Sequence, residues 1–71
     1  MKRIEHLDHC VRIFNSCWTK MSNTEADWDR AIEFFSKVCK DSGNDPQVTA
    51  LALQFVEILE AKFKEEEAAA G

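Results

Sequence analysis

The side chains best suited to metal or thiol chemistry in this 71-residue sequence are His6, His9, Cys10, Cys17 and Cys39. His6 and Cys10 stand four residues apart, a spacing that brings two ligands to one ion if the segment is helical. Cys17 is two turns further on, about 10 Å along the helix axis from Cys10. Zinc bonds are about 2.0–2.3 Å long, so a straight helix cannot bring Cys17 to the same ion. Cys39, from another segment, could add a third ligand. The set thus permits a cysteine/histidine metal or redox sensor. Three small thiols filling a core account for the same residues. There is no Cys-x-x-Cys, and no thiol opens a helix in an electropositive setting. An odd, unframed set of cysteines reads as reduced thiols of a cytoplasmic protein.

Nucleophilic catalysis would use Cys10 with His6 as its base. Nothing in the sequence orients that base or builds an oxyanion site. Asp27 with Asp29, and Glu57 with Glu60, read as solvated helix faces. Two glycines, one of them the last residue, leave no phosphate-cradling loop. The expectation is therefore no enzyme, no catalytic residue, no metal and no cofactor.

The elements that would position these groups are helices. Apolar residues recur at Ile4, Leu7, Val11, Phe14, Trp18 and Met21, alternating three and four apart. That is an unbroken helical seam, and other helices must cover it. A second stripe, His6, Cys10, Ile13 and Cys17, lies beside it. An apolar arc this wide suits a helix that touches two neighbours.

Ser22-Asn23-Thr24 then interrupts the pattern. Thr24 to Asp27 approximates a capping box, with Ser22 to Glu25 as the competing register. Glu25, Asp27 and Asp29 suit the start of a second helix, and Lys37 and Lys40 its end. Trp28, Ala31, Ile32, Phe35, Val38 and Cys39 form its inward face. Gly43 fits the left-handed position after a helix, Asp45 an N-cap and Pro46 the first helical position. The third helix turns Val48, Leu51, Ala52, Phe55, Ile58, Leu59 and Phe63 inward, with Val56 on the flank. Glu60 and Lys64 are spaced for an ion pair. Glu65-Glu66-Glu67 should fray, since the helix dipole disfavours anions there.

These readings give an all-α fold: an antiparallel three-helix bundle with helices at about 3–21, 25–41 and 46–66. Short connections make successive helices antiparallel. Residues 1–66 form one domain and 67–71 a frayed tail. A chain this small has little stability to spare, so homodimerisation could complete the bundle.

Charge narrows the function. The net charge is −4. In residues 1–21, Lys2, Arg3, Arg12 and Lys20 against Glu5 and Asp8 leave +2, while 22–45 and 46–71 each carry −3. No basic face is large enough to neutralise several phosphates. A helix-turn-helix would read DNA with Gln47 and Thr49, but no Lys or Arg occurs between Lys40 and Lys62 to hold phosphates. Apolar runs of three or four residues fall far short of the roughly 20 a membrane span needs. The N-terminus lacks the apolar stretch of a signal peptide.

What remains is protein–protein interaction. Phe34, Leu53 and Ile13 are large apolar residues off the main core faces, one per helix, and Trp28 lies near a helix end. They are the candidate partner-binding residues. The acidic groups around them favour a partner with a basic surface. The expected function is a small regulatory or interaction module acting through an acidic helical surface. The metal or thiol sensor and the DNA-associated regulator are its alternatives.

Overall fold

The computed structural model describes residues 2–70, with helices α1 (Arg3–Lys20), α2 (Glu25–Asp41) and α3 (Pro46–Ala70). Local chemistry sets both ends of α2 and the start of α3. Among the described residues there is no strand.

Thr24 is the N-cap of α2, and its hydroxyl accepts the Asp27 N–H at 3.2 Å. The cap takes this register rather than the one from Ser22, without the return bond to the Thr24 N–H that would close a capping box. Asp27 reaches back and accepts the Ser22 N–H at 2.8 Å. At the far end the Gly43 N–H donates to the Lys40 carbonyl and the Asn44 N–H to the Cys39 carbonyl, both at 2.9 Å. That is a Schellman closure. Gly43 sits at φ +70°, where a Cβ would be strained. Asp45 then caps α3 by accepting the N–H groups of Gln47 at 2.9 Å and Val48 at 3.3 Å. Its other oxygen accepts the Arg3 Nε–H at 2.8 Å. The Arg3 hydrogen bond, helped by the two backbone donors, holds the Asp45 carboxyl below the usual carboxylate range.

The Arg3–Asp45 contact joins the starts of α1 and α3. Their far ends meet where Lys62 Nζ donates to the Trp18 carbonyl at 2.6 Å. So α1 and α3 run parallel and α2 antiparallel, all three pairs touch, and the bundle measures 43 × 19 × 16 Å.

Helix α3 continues past the expected end at residue 66. No glycine or proline stops it before the C-terminus, and alanine is the strongest helix former. The Asn23 side-chain amide donates to the Glu67 carboxylate, tying this extension to the α1–α2 turn. Met1 and Gly71, the outer ends of the expected domain and tail, lie outside the described residues. Lys62 pairs with Glu66 at 3.7 Å; the expected Glu60–Lys64 pair does not form.

The core is rotated from the expected seam of α1. Its buried line is His6, Cys10, Ile13 and Cys17, with Leu7, Phe14 and Met21 packed along the flank. Ile4, Val11 and Trp18 remain 67%, 39% and 43% exposed. The reason is steric. Cys10 and Cys17 face Ala31, Phe35 and Val38 of α2 and Val48, Ala52 and Leu59 of α3 in one buried cluster. Cys10, Cys17, Ala31 and Ala52 are small enough to sit where the three helices meet, which suits close-set helices, while Ile4 and Trp18 fall outside that line. Phe14 closes that edge by stacking on Phe55 at 4.3 Å. Ile32 and Ile58, expected inward, are also displaced to the surface.

Candidate interaction surfaces

Of the sulfur and imidazole groups, His6, Cys10 and Cys17 lie in the core, Cys39 is half-buried against it and His9 is exposed. Cys10 is wholly enclosed, and Cys17 and His6 nearly so. Burial pushes the Cys10 thiol up, with Cys39 adding to the effect; burial and then the Asp27 carboxylate push the Cys17 thiol up. The shift favours the protonated thiol, the weaker nucleophile. Among the described residues no three His, Cys, Asp or Glu side chains stand together as ion ligands. His9 lies apart from His6, exposed beside α2.

Two open grooves flank the core instead. The first, between α1 and α2, is about 550 Å³ and has an apolar floor that includes Ile13, Cys17, Met21, Ala31 and Phe34. Arg12, Lys20 and Arg30 rim it, against the single carboxylate of Asp27. The second, between α2 and α3, is about 460 Å³ and is lined by Ile32, Phe35, Ala52, Leu53 and Val56 among others. Leu53 and Ile32 are 61% and 49% exposed. At 100° per residue Glu57 and Glu60 project within about 40° of Leu53, and Glu25 and Asp29 within about 60° of Ile32. All four carboxylates are at exposed positions. Lys40 is the cation lining this groove, at its loop end.

No protein family, curated protein or solved structure matches this chain. The surfaces must therefore be read from their own chemistry.

The four expected partner-binding residues do not form one patch. Phe34 and Ile13 line the first groove together. Phe34 is half exposed, whereas Ile13 is a core residue with only one edge free, because α2 packs against it. Leu53 belongs to the second groove. Trp28 joins neither. Its ring lies edge-on to Phe63 at 5.7 Å and its indole N–H donates to Asn23 Oδ1 at 2.7 Å, so it fastens the α1–α2 turn to α3. Thr49, which the alternative DNA-associated reading would use to touch a base, is half-buried in the second groove.

Sequence reasoning missed two features. One is Ile32, assigned inward despite the acidic residues on its own face of the helix. The other is the gathering of Lys20 and Arg30, ten residues apart, on one rim; no local signal announces it.

Proposed function

We propose that the protein is a small non-enzymatic interaction or regulatory module that holds a basic partner protein on its acidic α2–α3 face. The observation that carries this is Leu53 and Ile32, two large aliphatic side chains left exposed over one groove; helical spacing sets the exposed Glu57 and Glu60 on the Leu53 side of α3. Apolar anchors supply affinity and the surrounding charge selects the partner. The three cysteines are unpaired, which suits a reducing compartment such as the cytoplasm. Among the described residues no helix is long and apolar enough to cross a membrane.

The test is a titration with an amphipathic helical peptide that flanks a leucine stripe with lysines. Leu53→Ser should weaken binding by tenfold or more, on the scale of about 2 kcal/mol for a central anchor. It should move folding stability by no more than about 0.5 kcal/mol, as at other exposed sites. Unchanged affinity, or a cooperative loss of helicity, would remove Leu53 from this role.

A second reading rests on Ile4, Val11 and Trp18, exposed and seven residues apart along α1. Heptad spacing is what a helix presents to a parallel or antiparallel copy of itself. The charges beside the strip, Asp8 and Arg12, pair with each other at 3.1 Å, so two copies would meet without net repulsion. Light scattering should then report a dimer that Val11→Glu returns to a helical monomer. A strict monomer at every concentration sinks this reading.

A further inference from the structure

We propose that the groove between α1 and α2 docks an acidic amphipathic helix from another protein. This surface is separate from the α2–α3 groove and is lined by three cations, Arg12, Lys20 and Arg30, against one carboxylate. If both are occupied, the module bridges a basic partner and an acidic one.

Three observations support the assignment. First, the chain carries a net charge of −4, yet the rim of this groove sets Arg12, Lys20 and Arg30 against Asp27 alone. Second, these charges are weakly engaged. Arg30 lies 3.9 Å from Asp27, beyond hydrogen-bonding distance, while Asp27 is occupied by the Ser22 N–H. Arg12 meets Asp8, but that pair is exposed on both sides and worth little. Lys20 makes no ion pair among the described residues. Third, the floor is apolar, and half of Phe34 faces water. A cationic rim alone would suit any polyanion. A cationic rim around an aliphatic and aromatic floor suits leucine-type anchors one turn apart with carboxylates on either side. The groove between two antiparallel helices takes a third helix as a bundle does. Two copies joined through this same groove would oppose their own cations, so an isologous dimer here is disfavoured.

The probe is a synthetic peptide of about 20 residues, long enough to hold helix in water, with a leucine stripe flanked by glutamates. Its isomer carries lysines in place of the glutamates. Each is titrated into the full ¹⁵N-labelled chain. The glutamate peptide should move the amides of Arg12, Ser16, Ala31 and Phe34 and bind at least about tenfold more tightly than the isomer at these positions, with salt weakening it. Lys20→Glu with Arg30→Glu should reverse that preference while the circular dichroism is unchanged. Phe34→Ser should cost about tenfold without altering the charge preference.

Four results overturn the assignment. The lysine peptide moves the same amides as strongly. Neither peptide moves them at roughly millimolar concentration. A DNA duplex produces the same shifts and competes, which makes the groove a phosphate-binding surface. The amides move with the protein's own concentration alone, which makes a second copy the occupant. Because the α2–α3 reading is scored at Leu53 with the lysine peptide, either proposal can fail while the other stands.

Discussion

Leu59→Ala is expected to leave a large fraction of the protein unfolded at 25 °C. Leu59 has no exposed surface and is the largest of the wholly buried side chains, placed where α3 meets the cysteine stripe of α1 and the Ala31–Phe35–Val38 line of α2. Truncating a buried leucine to alanine costs about 2–5 kcal/mol, through lost transfer energy and the cavity left behind. A single core in a chain of this size supplies about 3–5 kcal/mol in total. The loss is therefore comparable to the whole stability. Urea denaturation followed at 222 nm should show a midpoint near zero denaturant or a broad baseline of partly unfolded chains. Leu53→Ala on the same helix should shift stability by about 0.5 kcal/mol or less. The two leucines are six residues apart and project about 120° from each other. Equal effects at both positions would contradict the packing described here.

Lys62→Met is expected to cost about 1.5–3 kcal/mol, the range for a hydrogen bond to a charged group. The Lys62 side chain is largely covered, with 17% of it exposed, while its ammonium bonds at the exposed end of α1. It donates to the Trp18 carbonyl, one of the last four carbonyls of α1, which have no partner within the helix. It also lies 4.6 Å from the Trp18 ring centre and 5.1 Å from that of Phe63. Cations over aromatic faces add about 0.5–1 kcal/mol where water has access. The Glu66 pair adds less, because that carboxylate is exposed. Methionine preserves the length and apolar stem but removes every donor. Chemical denaturation should show the loss, and tryptophan fluorescence a change around Trp18. A midpoint equal to that of the parent chain would mean that water replaces the ammonium at no cost.

Some of this architecture was legible before any coordinates. Thr24, Gly43 and Asp45-Pro46 act on backbone groups within five residues of themselves, so their chemistry places the helix ends wherever the rest of the chain lies. The wide arc on α1 correctly announced a helix with two neighbours. Its brighter stripe misled, because Ile4, Val11 and Trp18 are the more hydrophobic residues while Cys10 and Cys17 are the smaller ones. Hydrophobic periodicity weighs transfer energy; the closeness of two helices depends on size. Phe34 and Leu53 were legible as exposed because each falls among polar neighbours on its own helix.

By itself, then, the sequence determined three helices, their order, the caps of α2 and of the start of α3, and the absence of a phosphate loop or thiol pair motif, since each depends on residues near one another along the chain. Tertiary structure alone decided which stripe of α1 is buried, that Lys62 closes the end of α1 from 44 residues away, and that Arg12, Lys20 and Arg30 collect along one groove. Those outcomes join side chains from different helices, and no rule of spacing within one helix contains the angle at which a second arrives.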